Sequence, residues 1–222
     1  MTEINLNNEV IIYKSNLNLE PKFDKQRFIE KLITIDSLVK TTNQKFGPIA
    51  PGRQSSLSGM YIPELIFIKN NICRLLSETF KISNNFIIYD WLYYGGKDNA
   101  YTGYHTHDIL APIKSSVNHI DNLKTDYSFT YYVQMPNNLK DNQGKLYFKT
   151  KSGYEFSILP EEDDIFIFPG DLQHKPEINP NSTKSRIVVA GNVAFFDNHI
   201  AKKCIILLFS SIIFHLIFGV LL

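Results

Sequence analysis

Cysteine is scarce: the 222 residues include two, Cys73 and Cys204, far apart and in unlike contexts. That excludes a disulfide scaffold and a zinc ribbon, both of which need clustered cysteines. An excess of one charge sign is lacking too. Lys and Arg number 23 against 22 Asp and Glu, a formal net charge of +1. The basic footprint that phosphate-backbone binding requires is therefore missing, and a nucleic-acid partner is excluded. No internal repeat is visible, so a solenoid is excluded as well. The first 14 residues, MTEINLNNEVIIYK, carry an early Glu and no long apolar stretch, so no secretory signal is expected. What the chain does have is 44% apolar and 20% charged residues, enough to build a core and to rule out disorder. Its length suits one domain plus an appendage.

Long apolar runs are absent except at one place. From Cys204 to Leu222 the chain reads CIILLFSSIIFHLIFGVLL without an Asp, Glu, Lys or Arg, directly after Lys202 and Lys203. A helix of about 19 residues reaches roughly 28 Å, close to the hydrocarbon thickness of a bilayer. The run over residues 202–222 is thus expected to be a C-terminal membrane anchor, with the domain on the cytosolic side beside the Lys pair. The alternative is a buried terminal helix, but Ser210, Ser211 and His215 form no polar stripe.

The body of the chain divides by texture. Residues 21–42 place Phe23, Phe28, Leu32, Ile35 and Leu38 at three-and-four spacing after Pro21, which predicts an amphipathic helix. Residues 46–60 read as loop, and the helical period returns over 63–80. Residues 1–85 are therefore expected to be a mostly helical support region. After Asn85 come short β-branched and aromatic runs: 86–94, 127–135, 145–149, 154–158, 164–168 and 186–196. Short strands without intervening helices predict an antiparallel sandwich or barrel over residues 86–199. The irregular stretch 111–126 is long enough to frame a site.

Chemistry concentrates around His105-Thr106-His107-Asp108. In an extended segment, residues two apart point the same way, so the two imidazoles can converge on one ion while Thr106 faces away. Such a pair also occurs on surfaces without function, and a third ligand must come from elsewhere. His174 is the best candidate, because the apolar run DIFIF and the turn Pro169-Gly170 deliver it at a strand end. The bland alternative is a solvated loop histidine. Farther on, Arg186, Val188, Ala190 and Asn192 share one face of a strand. An Arg among small and apolar residues asks for an anionic partner, either an internal carboxylate such as Asp171 or the carboxylate of a bound acid.

The order of these parts resembles the 2-oxoglutarate and Fe(II)-dependent dioxygenases, in particular the prolyl-hydroxylase-like branch and related bacterial and phage oxygenases with a His-x-His motif. The resemblance spans roughly residues 86–196 and rests on YYGG…GYHTH, then SFTYYVQMPNN, GKLYF and DDIFIFPGDLQH, and finally Arg186 followed by apolar residues and Asn192. It implies a mainly β chain with N-terminal helices, folded as a double-stranded β-helix, or jelly roll, with helices packed on one sheet. It implies His105 and His174 as iron ligands and Arg186 as the residue that clamps the distal carboxylate of 2-oxoglutarate. Tyr132, and with it Tyr94, match positions that contact the cosubstrate. Asn192 and Asp108 are implied to act from behind the ligands. Fe(II), 2-oxoglutarate and O₂ would be the cofactor and cosubstrates, and hydroxylation of a protein side chain or a small molecule the reaction, with succinate and CO₂ as coproducts.

There is one departure. Most of the family reads His-x-Asp, giving two histidines and a carboxylate. Here the third position is His107, and Asp108 comes one residue late. His107 as ligand gives a three-histidine face; a local bulge would instead swing Asp108 inward. Two rival readings remain. One is a cupin-like metal-binding or isomerase domain without 2-oxoglutarate, which has no need of Arg186. The other is a membrane-tethered binding domain with a degenerate site.

Overall fold

A computed structural model describes residues 1–17, 23–41, 53–57, 60–81, 86–95, 103–107, 125–137, 139–141, 143–177 and 184–195, with side chains at all of these except 38–41, 53–56 and 86–95. The described residues are mainly β with two helices. The strands are β1 (Thr2–Leu6), β2 (Val10–Asn16), β3 (Arg53–Ser56), β4 (Phe86–Gly95), β5 (Tyr127–Gln134), β6 (Leu146–Lys149), β7 (Glu155–Ile158), β8 (Asp164–Pro169), β9 (Gln173–Pro176) and β10 (Arg186–Phe195). The helices are α1 (Lys25–Thr41) and α2 (Pro63–Phe80).

The strands form a seven-stranded sheet in the order β1-β2-β8-β5-β10-β4-β3 and a three-stranded sheet in the order β7-β6-β9. Every pairing between named strands is antiparallel. Two antiparallel sheets are consistent with a jelly roll.

Period-two sequence decides which side of the large sheet does what. Phe129, Tyr131 and Val133 of β5, Ile165 and Ile167 of β8, and Ile187, Val189 and Val193 of β10 join one buried cluster with Phe28, Ile29 and Leu32 of α1 and Leu65, Ile68, Ile72, Leu75 and Leu76 of α2. The intervening residues face the small sheet: Tyr132, Phe166, Phe168 and Val188 pack with Leu146 and Phe148 of β6. Strands β5, β8 and β10 are thus apolar on both faces, as central strands between two layers must be.

The helices stop where local chemistry stops them. Asp24 caps α1 by accepting a 2.9 Å bond from the Arg27 amide, and Phe23 packs edge-on against Phe28 at 5.7 Å, so a capping carboxylate and a hydrophobic staple fix the helix start. That is why α1 begins at Lys25 rather than in the turn after Pro21, which lies outside the described residues. Pro63 takes the first position of α2, and Lys81 ends it in the left-handed region at φ 52°.

The membrane expectation is corrected here. Among the described residues no helix is long and apolar enough to cross a membrane: α1 carries Lys25, Arg27, Glu30, Lys31 and Asp36, and α2 carries Glu64, Lys69, Arg74 and Glu78, charges that a lipid-facing span cannot hold at that density. Residues 202–222 lie outside the described residues, and the anchor, the membrane association and the cytosolic-side placement that rested on them are withdrawn. Besides α1 and α2, the N-terminal region supplies β1, β2 and β3 to the large sheet. Asn7 and Asn8 sit at φ 53° and 60° in the turn closed by the Glu9 amide on the Leu6 carbonyl at 3.0 Å, the positive-φ pair that Asn tolerates in a hairpin.

Candidate metal and anion site

The three histidines come together between the sheets. His174 lies on β9, where it pairs with Phe148 of β6. His105 adds to the other edge of β9: its amide donates to the His174 carbonyl at 3.1 Å, and the His174 amide donates back at 3.0 Å. The His107 amide donates to the Gly170 carbonyl at 2.8 Å. This extended segment turns both imidazoles to the inside, while Thr106 lines a separate hollow with Lys149, Asp171 and Gln173. Period two holds through the motif.

Ligand-bearing atoms of His105, His107 and His174 all lie within 4.8 Å of one another. Their rings stand 4.4–5.0 Å apart, centroid to centroid. Two of the rings are fixed in tautomer and direction. His105 Nδ1 lies 2.9 Å from the Gly103 carbonyl and His174 Nδ1 lies 3.0 Å from the Leu172 carbonyl. A carbonyl oxygen only accepts, so each Nδ1 carries the proton and each Nε2 keeps its lone pair for an ion. Burial, helped by the neighbouring His105, pushes the His107 imidazole down to about 3. Burial first, then His105 and His107, push His174 well below its ordinary value, against the bond to Leu172. A neutral imidazole is the metal-binding form. These donors fit a divalent first-row ion, which imidazole ligands suit.

The histidines share one cavity with Arg186, Tyr132, Ser128, Thr130, Val188 and Ala190. It encloses about 60 Å³ in which the centre of a water-sized molecule fits, and no acidic side chain is among the described residues that line it. Arg186 is 1% exposed. Its Nη1 donates to the Glu177 carbonyl at 2.9 Å, which orients the guanidinium without neutralising it. Asp171, the internal carboxylate considered for it, pairs instead with Lys151 at 3.0 Å on the surface. An ion bound at the histidines would add positive charge beside the guanidinium, which favours an anionic ligand.

Tyr132 is 2% exposed, edge-on to Phe166 at 5.9 Å, and pairs with Val188 across the ladder after a register shift at Ile187/Val188. Asn192 is buried and accepts a 2.9 Å bond from Ser128 Oγ, one step behind the cavity wall. The side chain of Tyr94 is outside the described part; its backbone pairs with Ile187, whereas that of Tyr93 pairs with the cavity-lining Val188. Asp108, His119, His199 and residues 111–124 lie outside the described residues. Sequence reasoning passed over Ser128 and Thr130, although period-two alternation from Tyr132, itself implied only by the resemblance, would have found them.

No protein-family model matches the sequence, and no curated protein matches it by sequence. The fold does match. A prolyl-4-hydroxylase from Pseudomonas putida aligns with a TM-score of 0.59 at 10% identity, over 84% of this chain and 93% of that one. The non-heme α-ketoglutarate-dependent carbocyclase SnoK of nogalamycin biosynthesis aligns at 0.60 and 10% identity, over 89% and 88%. HygX from Streptomyces hygroscopicus, solved with nickel and 2-oxoglutarate bound, aligns at 0.52 and 11% identity, over 82% and 82%. The chain shares the fold of the 2-oxoglutarate and Fe(II) oxygenases.

Proposed function

We propose that the protein is an oxygenase that uses Fe(II), 2-oxoglutarate and O₂ to hydroxylate a protein side chain or a small molecule, with succinate and CO₂ as coproducts. The observation that carries this reading is the convergence of three imidazoles and a buried guanidinium on one cavity with no acidic side chain among the described residues that line it. The donor set and the Arg fit an ion and an acid ligand together. Bound at the three imidazoles, Fe(II) would supply one-electron chemistry on O₂, coupling the decarboxylation of 2-oxoglutarate to insertion of one oxygen atom into a C–H bond.

The chain's own groups do the rest. His105, His107 and His174 fix the ion's position from two extended segments tied together by backbone bonds. Arg186 holds the distal carboxylate, and Tyr132 closes the wall beside it. Phe168 and Leu146 keep water out, which strengthens the guanidinium–carboxylate attraction. Three imidazoles in place of two and a carboxylate leave one more positive charge at the ion, so the site binds a dianion more readily. A similar prolyl hydroxylase from Trichoplax adhaerens is solved with a peptide fragment, which supports keeping a protein side chain beside a small molecule as the substrate.

The test is direct. The full chain, supplied with Fe(II) and 2-oxoglutarate in air, should release succinate and CO₂ in equal amounts, even slowly without substrate. If neither turnover nor 2-oxoglutarate binding occurs with the ion present, the enzyme reading fails and the cupin-like alternative stands.

A further inference from the structure

We propose that the Thr130 hydroxyl holds the histidine-facing end of the acid ligand while Arg186 holds the other end. The inference rests on the 2-oxoglutarate reading above and adds a residue to it.

Thr130 lines the cavity. It is half-buried, and its Oγ1 is shielded from solvent with no hydrogen-bond partner among the described residues. The neighbouring hydroxyl on the same face behaves otherwise: Ser128 Oγ donates to Asn192 Oδ1 at 2.9 Å. A buried hydroxyl without a partner is destabilising, and Val has the same shape without that penalty. A Thr at this point is therefore explained by a partner that arrives with the ligand.

Ladder register says which end of the ligand it meets. Thr130 pairs with Ala190 of β10, four residues from Arg186, which is about 13 Å along a strand. On its other side it pairs with Phe166, and Ser128 pairs with Phe168. The Phe168 ring lies 4.6 Å from the His174 ring. Thr130 thus stands two residues along the ladder from the pair that abuts His174, and its partner Ala190 four residues from Arg186. A single carboxylate does not serve both, whereas a 2-oxo dicarboxylate offers an acceptor at each end: the distal carboxylate to Arg186, the keto-acid oxygens to Thr130.

Calorimetric titration of 2-oxoglutarate into the full chain loaded with redox-inert Zn(II) tests the assignment, with thermal melting of the ligand-free proteins alongside. Thr130→Val should weaken 2-oxoglutarate binding about 10- to 100-fold, the loss of one hydrogen bond to a charged group. The same variant without ligand should melt about 2–4 °C higher, because an unpartnered hydroxyl has gone. Thr130→Ser, which keeps the hydroxyl, should bind within about threefold of wild type. Unchanged affinity in Thr130→Val overturns the inference, and so does a lower melting temperature for its ligand-free form. If the wild type itself fails to bind 2-oxoglutarate, the cosubstrate reading falls and takes this inference with it.

Discussion

His105 and His174 hold each other by their backbones, His105 N to His174 O at 3.1 Å and His174 N to His105 O at 3.0 Å, so two candidate ligands 69 positions apart in sequence are fixed without help from their rings. The expected consequence is a separation of metal binding from folding. His105→Ala keeps the amide and carbonyl and should leave the metal-free protein within about 1 kcal/mol of wild type. Wild type should gain about 2.7 kcal/mol from Zn(II) at 100 times its dissociation constant, a rise of several degrees. His105→Ala should lose that gain, as should His174→Ala. Melting with and without Zn(II) reads both; a variant that still gains stability from the metal removes that histidine from the ligand set.

Arg186 should separate the two ligands of the site. Replacing it by Ala removes the buried guanidinium that faces the cavity but touches neither the ring bonds of His105 to Gly103 and of His174 to Leu172 nor the His107 amide's bond to Gly170. Affinity for 2-oxoglutarate should fall by about 2–5 kcal/mol, the scale of a desolvated charge pair. Zn(II) affinity should stay within about threefold. Equal losses in the two titrations would refute the assignment of Arg186 to the cosubstrate.

The parts legible in the sequence were those with strong period-two patterning. SFTYYVQ, DIFIF and RIVVAGNVAF became β5, β8 and β10; alternation put Arg186 on one face with Val188, Ala190 and Asn192, whereas Tyr132 came from the family resemblance. His105, His107 and His174 were legible as separate candidates, and the structure brings all three to one cavity. Strand β9 was not legible, since four residues ending in Lys175-Pro176 carry no pattern; only pairing with Phe148 and His105 makes QHKP a strand. The β1–β2 hairpin was missed for a different reason. Its Asn7-Asn8 turn is a usable signal, but the residues around it mix Asn, Glu and Lys and do not alternate cleanly. Tertiary pairing with β8 supplies what propensity does not.

Acid should release one specific link between the helices. Lys31 Nζ lies 2.7 Å from both carboxylate oxygens of Glu64, which stands in the first turn of α2. Burial alone would raise this carboxyl; the Lys31 bond, the Glu64 backbone amide and the Lys31 and Arg27 charges outweigh it and lower it. A carboxyl lowered by folding stabilises above its unfolded value of about 4.3 and loses that contribution as pH falls through the lower folded value. Glu64→Gln should therefore cost about 1 kcal/mol at pH 7, and its difference from wild type should vanish toward pH 3. Urea unfolding across that range decides it; a constant difference at all pH values would mean that the charge is not what stabilises.

Gly170 should be needed for His107 in particular. Its carbonyl accepts the His107 amide at 2.8 Å and its own amide donates to Asp126 at 3.1 Å. A Cβ there would lie 2.7 Å from the Thr125 carbonyl oxygen and 2.7 Å from Thr125 Cγ2, so the backbone of one segment must move. Movement of Gly170 carries the His107 anchor with it. Gly170→Ala should cost about 1–3 kcal/mol of stability, as overpacking does, and weaken Zn(II) binding about tenfold or more, because ligand placement within a fraction of an ångström is what preorganises a metal site. Gly103 provides the contrast: it also presents a carbonyl to a histidine, His105, but a Cβ there meets nothing within 4 Å. Gly103→Ala should stay within about 0.5 kcal/mol and keep wild-type Zn(II) affinity. Should Gly170→Ala lose stability yet bind Zn(II) as wild type does, the Gly170 carbonyl is a structural contact and His107 is positioned by something else.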